Sequence, residues 1–176
     1  YIRKYPKFLY SLQPVQVHDG PSVAKLMAEA AEKADVGPMA AVAGAMAESV
    51  SKDLLKLSKE VIVENGGDIY LAASKERTIG IYAGHSPLSL KIGIVISPED
   101  SPLGVCTSSG TVGPSLSFGK ADAVCVLARS SALADAAATA VGNMVREKKD
   151  IEAGLERGRD IPGVLGVLII IEGKMG

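Results

Sequence analysis

Tryptophan is absent and phenylalanine occurs only twice, so aromatic side chains make up 4% of the 176 residues. A core without large rings must be filled by small and aliphatic side chains. Ala and Gly together number 42, and side chains that small require close backbone approach between well-matched surfaces. Cysteine is scarce too. Cys106 and Cys125 are too few for a disulfide scaffold or a structural zinc site. They read as thiols of a reducing compartment, which makes the cytoplasm the expected location. His18 and His85 each stand alone, which excludes a histidine-rich metal centre. Neither sign of charge is in excess: 19 Lys and Arg face 20 Asp and Glu, for a net charge of −1. A dedicated nucleic-acid binder carries a basic surplus, so nucleic acid is not an expected partner. No apolar run approaches the roughly 20 residues that span a bilayer, so a membrane is not expected either. The chain opens at Tyr1 rather than Met, and further sequence is expected before it.

What is present suits one ordinary folded domain. Apolar residues reach 47% and charged residues 22%, enough for a core and against disorder. Residues 1–20 mix Tyr1, Tyr5, Pro6, Phe8, Tyr10 and Pro14 without a sustained period, and predict a short helix or turn followed by an extended Gln13–His18. Val23, Leu26, Met27, Ala30, Ala31 and Ala34 predict a helix over Pro21–Val36. Gly37 suits its C′ position, and Pro38 suits the first turn of a second helix to about Lys59. The start of that helix, Met39–Ala47, is apolar on nearly every side and should be buried all round. Val61–Val63 and Ile69–Ala73 flank Asn65-Gly66-Gly67 and read as a hairpin. Thr78–Ala83 and Leu90–Ile96 read as two more strands. A Ser/Thr/Gly-rich loop spans Thr107–Ser117, then come a strand Ala121–Ala128 and a helix Ser131–Lys148. Gly154–Gly163 reads as a charged linker before a last strand, Val164–Ile171. Helices first, then a strand meander, then helix and strand, predict an α+β fold with a mixed or antiparallel sheet and packed helices.

Three places could carry chemistry. In Glu64-Asn65-Gly66-Gly67-Asp68, the two glycines either serve only the tight turn or bare the backbone for a ligand, with Asp68 as an acceptor. Cys106-Thr107-Ser108-Ser109-Gly110-Thr111-Val112-Gly113 is either a surface loop or an anion-binding concavity built from hydroxyls and backbone N–H groups. It is not a phosphate-binding P-loop, because five residues separate Gly113 from Gly119-Lys120 and Ala121 replaces the required hydroxyl. Asp135 and Thr139 stand at i and i+4, so both oxygens share a helix face. Carboxylate and hydroxyl suit Mg²⁺ or Ca²⁺, though Asp135 could also serve only the helix dipole. Cys106 is a further candidate as a nucleophile, with His85 nearest in sequence. Cys125 alternates within an apolar strand and reads as core.

The order Asn-Gly-Gly-Asp after a strand, a Ser-Gly loop, and Ala-Asp-x-x-x-Thr-Ala on a helix resembles that of the ApbE flavin transferase superfamily. The segment AVCVLARSSALADAAATAV is similar to that family's C-terminal motif. The stretches VGPMAAVAGAMAE, VENGGDIY, AGHSPLS and GVCTSSGTVG…SLSFGKADAV resemble a branch of ApbE-like proteins over essentially the whole chain. The resemblance implies one ApbE-like domain lacking its N-terminal segment, in which the Pro38–Lys59 and Ser131–Lys148 helices pack on the sheet. It implies FAD or FMN as ligand, with Mg²⁺ held by Asp135, Thr139 and a backbone carbonyl, that of Ala40. Gly66, Gly67 and Asp68 would line the nucleotide, and Ser108, Ser109 and Gly110 would approach its phosphates. A metal across two phosphates would stabilise the charge that develops as a phosphoanhydride breaks.

The chain also departs from that pattern. Ala41-Val42 stands where transferases of the superfamily have Lys-Gly, and Pro114 and Ser117 stand where they have His-x-x-Asp. The metal pair persists while acid, base and cation groups are replaced, and no catalytic residue can be assigned. The expectation is a protein that binds a flavin nucleotide or related diphosphate with Mg²⁺. The alternatives are an FMN transferase acting on an acceptor protein, a metabolic enzyme using the same pocket with Cys106, and a non-catalytic structural protein. A homo-oligomer stays open.

Overall fold

The computed structural model describes residues 1–112 and 116–176. Its helices are α1 (Pro6–Tyr10), α2 (Ser22–Ala34), α3 (Val42–Leu54), α4 (Ser131–Met144) and α5 (Ile151–Asp160). Its strands are β1 (Val61–Asn65), β2 (Asp68–Ala72), β3 (Arg77–Gly80), β4 (Gly93–Ile96), β5 (Leu103–Ser108), β6 (Ala123–Ala128), β7 (Val164–Ile171) and β8 (Lys174–Met175). A six-stranded sheet runs β1-β2-β5-β6-β7-β8, and β3 and β4 form a separate two-stranded sheet. The described pairings are antiparallel, so the architecture is the α+β class expected.

The large sheet is covered on both faces, and side-chain alternation sorts its residues. Val105, Ala123, Cys125 and Ile170 meet Ile81, Ala83 and Ile96 from the small sheet's side. Cys106, Val124, Val126, Ile169 and Ile171 point the other way, into a cluster with α2 and α4. Each fully buried Val or Ile there contributes about 1.5–3 kcal/mol. Helix α4 lies at the centre of this layer: Ala132, Ala134, Ala136, Ala137 and Ala138 are fully buried. Their short side chains let α2, α3 and the sheet approach one helix at once.

Five sequence expectations change. The Pro38–Lys59 helix is two pieces, a 3₁₀ turn at Pro38–Ala41 and α3, which stops at Leu54. Beyond Leu54 the chain is mostly exposed, with Leu57 at 89%. Its apolar start is not buried all round: Met46 is exposed, and Met39, Ala40, Val42 and Ala43 are only partly covered because they line a cavity. Asp35, not Gly37, adopts the left-handed conformation that ends α2. Gly37 is extended, and a Cβ there would sit 1.9 Å from the Ser11 carbonyl oxygen.

Leu103–Ser108 is a strand, β5, inside the sheet between β2 and β6, where the Ser/Thr content of its end reads as loop. Gly104 interrupts its apolar pattern for a steric reason: a Cβ would lie 2.2 Å from Ser131 Cα. The segment read as a linker, Gly154–Gly163, is mostly the body of α5. Its glycines at 154 and 158 resemble breakers, but they stand one turn apart and face the side chains of Ile169 and Val167 on β7. They set the close approach of that helix to the sheet. Among the described residues, no helix is long and apolar enough to cross a membrane.

Candidate functional site

The hairpin forms as its sequence predicts. Asn65 pairs with Asp68, and Gly66 and Gly67 take φ of 66° and 102°, as a tight two-residue turn requires. A Cβ at either glycine would meet nothing within 4 Å. The turn therefore opens onto space, and both glycines line a cavity of about 480 Å³. Around it stand Asp68, Thr107, Ser108, Ser109, Asp135 and Thr139. A second cavity of about 330 Å³ lies towards α1 and the start of α3, with Leu9, Met39, Ala40 and Phe118 in its wall. Asp68, Asp135 and Thr139 line this one as well, so the two spaces meet at these three side chains.

The fold holds each of them from a different element. Asp68 opens β2, and its Oδ1 accepts the Thr107 N–H of β5 at 3.2 Å. Burial pushes its carboxyl up to about 6, against the Cys106 thiol and the Thr107 N–H, which pull it down. Asp135 projects from α4, and its Oδ2 accepts the Gly44 N–H at 2.9 Å. Gly44 and Ala43 are first-turn residues of α3, whose N–H groups have no partner within the helix. Asp135 thus caps α3 from a neighbouring helix. This differs from the plain alternative, in which Asp135 serves the dipole of its own helix. Burial raises the Asp135 carboxyl well above the usual range, the charge of Asp68 adds to this, and the Gly44 and Ala43 N–H groups oppose it.

Two carboxyls that raise each other's proton affinity can be relieved in two ways, by a proton or by a cation. A carboxylate has about four lone-pair sites, so the bond to Gly44 leaves acceptor capacity on Asp135. Among the described residues no group of three or more His, Cys, Asp or Glu is placed to hold a metal ion. A cation here would have to complete its shell from the Thr139 hydroxyl, backbone carbonyls and ligand oxygens. Ala40 lines the same cavity as Asp135 and Thr139. This all-oxygen donor set fits Mg²⁺.

The Ser/Gly segment divides. Ser108 ends β5 on the cavity wall. Ser109 also reaches that wall, but its hydroxyl is engaged in the loop: it donates to the Asp122 carbonyl at 2.8 Å and accepts the Val112 N–H at 3.0 Å. Gly110 gives its N–H to the Ala121 carbonyl at 2.9 Å. A Cβ there would sit 2.3 Å from the Gly119 carbonyl oxygen, so this glycine serves close backbone packing. Cys106 is fully buried and donates to the Ser131 carbonyl at 3.2 Å. Burial, then the charges of Asp68 and Asp135, push its thiol far up, the opposite of what a nucleophile needs. Cys125 is core, as expected, and burial pushes it up to about 11. Ala41 is fully buried and Val42 lines the second cavity. Ser117 accepts the Gly119 N–H, and Pro114 lies outside the described residues.

The structure gives two lining residues parts that their sequence context did not assign. Thr107 holds Asp68 because β5 pairs with β2 in the register that sets Val105 against Ile69. Arg77, at the start of β3, is the one cation among the described lining residues of either cavity. Glu48, which follows the apolar run from Val36 to Ala47 and lines neither cavity, drew no attention in the sequence.

Comparison with known proteins agrees with this architecture. The family model described as AbpE bacteria matches residues 1–176. UPF0280 protein MJ1526 of Methanocaldococcus jannaschii is 49% identical over 182 residues, covering 100% of this chain and 74% of the relative. A UPF0280 protein of Methanothermobacter thermautotrophicus is 45% identical over 176 residues, covering 97% of this chain and 68% of its own length. Among solved structures, the ApbE protein of Thermotoga maritima superposes with a TM-score of 0.60 at 18% identity, over 81% of this chain and 50% of that one. The flavin transferase ApbE of Vibrio cholerae gives a TM-score of 0.50 at 18% identity, over 89% of this chain and 59% of that one. At such identity the two structures establish the fold alone, and this chain covers half of the first and 59% of the second. With the whole-length family match and relatives near half identity, the chain belongs to the AbpE bacteria family and has the ApbE-like α+β fold.

Proposed function

We propose that the protein binds a flavin nucleotide or a related diphosphate together with Mg²⁺, at the meeting point of its two cavities. One observation carries this reading: Asp68, Asp135 and Thr139 line both spaces. A ligand lying across that junction would have a room on either side and its anionic centre beside the carboxyls, where a bridging cation makes the contact favourable. Asp135, Thr139 and the Ala40 carbonyl would hold the metal. When bound, Mg²⁺ supplies positive charge to diphosphate oxygens. Gly66 and Gly67 leave the turn open to the ligand, and Ser108 and Thr107 offer hydroxyls on the wall. The Vibrio cholerae neighbour is a flavin transferase by name, which supports flavin as the nucleotide. Binding, rather than transfer, is the reading for this chain. Ala41 and Val42 provide no cation, and Cys106 is sealed in the core.

A thermal-shift series with FAD, FMN and ADP, each with and without Mg²⁺, tests this. Ligand at 100 times its Kd stabilises the fold by about 2.7 kcal/mol. The expected result is a rise in Tm that needs nucleotide and Mg²⁺ together. No shift with any nucleotide in the presence of Mg²⁺ would overturn the reading.

A further inference from the structure

Glu48 carries a carboxylate that is only 3% exposed and lies outside the lining of either cavity. Its Oε2 accepts the Ser130 hydroxyl at 2.7 Å and the Ala132 N–H at 3.4 Å. Its Oε1 accepts from Lys52 Nζ at 2.6 Å. Ser130 is the N-cap of α4 and Ala132 belongs to its first turn. A buried carboxylate of α3 therefore sits on the N-terminus of α4, where the helix field favours it. One turn earlier on α3, Gly44 makes the reverse connection. It gives its N–H to Asp135 and takes the Ser131 hydroxyl on its carbonyl at 2.7 Å. The two backbones touch at that point, since a Cβ on Gly44 would lie 2.2 Å from the Ser131 carbonyl oxygen.

The two helices are thus fastened at two levels, and the cavity-facing group, Asp135, belongs to one of them. Gly44 and Glu48 are i and i+4, on one face of α3. If the lower fastening opens, α4 can shift along α3, and the upper bond lengthens with it. We propose that Glu48 is a positioning residue: it holds the N-terminus of α4 so that Asp135 and Thr139 keep their place relative to the Ala40 end of α3. This rests on the reading of Asp135 and Thr139 as the metal pair, but the position of Asp135 can be read without any ligand.

Two measurements on full-length Glu48→Ala, Glu48→Gln and wild type decide it. The first is amide hydrogen exchange at Gly44, with Val126 in the sheet core as internal reference for global stability. The second is calorimetric titration with ADP and FAD in Mg²⁺. For Glu48→Ala the expected result is Gly44 exchange at least tenfold faster relative to Val126, and nucleotide affinity at least tenfold weaker. Glu48→Gln keeps an oxygen for Ser130 and Ala132 and should restore most of both. Where Glu48→Ala does not fold, Ser130→Ala removes one arm of the clamp from the other side and should give the same pattern at smaller amplitude. A lowered Tm with Gly44 exchange unchanged relative to Val126 would overturn the proposal and leave Glu48 a plain stability residue. If wild type takes no nucleotide, the proposed function fails, while the Gly44 exchange still decides whether Glu48 positions Asp135.

Discussion

Asp68, at the start of β2, and Asp135, on α4, line the same two cavities, and the charge of Asp68 helps hold the Asp135 carboxyl above its usual range. Without a cation, each carboxyl makes the ionisation of the other less favourable. A divalent ion held at Asp135 would offset that repulsion.

Asp135→Asn keeps the shape and an oxygen for the Gly44 N–H, and removes the charge. Because burial disfavours the charged form of Asp135 in the fold, the variant should be at least as stable as wild type in EDTA. In Mg²⁺ with nucleotide the order should reverse, since only wild type gains from the metal. Thr139→Val removes one ligand oxygen and should weaken Mg²⁺ binding less. Calorimetric Mg²⁺ titration in the presence of nucleotide checks this. Equal curves for all three proteins would reduce Asp135 to a cap for α3.

Stability of the metal-free protein should fall as pH rises from about 4 to about 6. The Asp68 carboxyl is pushed up from 3.8 to about 6 in the fold, so the folded state binds the proton more tightly than the unfolded chain. Its contribution is fully present below the unfolded value and is lost as pH climbs through the folded one. A shift of that size corresponds to about 3 kcal/mol at most. Urea midpoints for wild type and Asp68→Asn across this range isolate the effect, because the Asn variant should lack that part of the decline.

Both thiols should resist labelling in the native state. Cys106 and Cys125 are fully buried and burial raises both thiols, so little thiolate forms at neutral pH. A disulfide reagent should react at the rate of unfolding and count two thiols only in denaturant. Rapid native labelling of Cys106 would revive the nucleophile reading.

Two glycines on the facing helices should respond in opposite directions to alanine. Gly44→Ala puts a Cβ 2.2 Å from the Ser131 carbonyl oxygen and should cost about 1–3 kcal/mol or more, as overpacking does. Gly142 lies within α4, and its Cβ would meet nothing closer than 3.5 Å. Gly142→Ala should raise stability by up to about 1 kcal/mol through helix propensity. Denaturant midpoints of the two variants give the comparison.

Local and periodic features were legible in the sequence. The Asn65-Gly66-Gly67 turn, β6, β7 and the cores of α2 and α4 follow from turn chemistry and apolar spacing, which act within a few residues. The order of the three motifs carried the family and hence the α+β fold. What the chain could not announce is wherever a residue's role depends on a distant neighbour. Gly104 looks like a break in an apolar run, yet Ser131 demands it. Gly154 and Gly158 look like a linker, yet β7 turns them into a helix face. Ser108, Ser109 and Gly110 look alike as loop residues, but backbone packing turns Gly110 towards Gly119 while Ser108 stays on the cavity wall. Asp135 and Thr139 are paired by helix period alone. Their meeting with Asp68 and Ala40, and the clamp from Glu48, exist only because close packing of small side chains brings α3, α4 and β2 to one point.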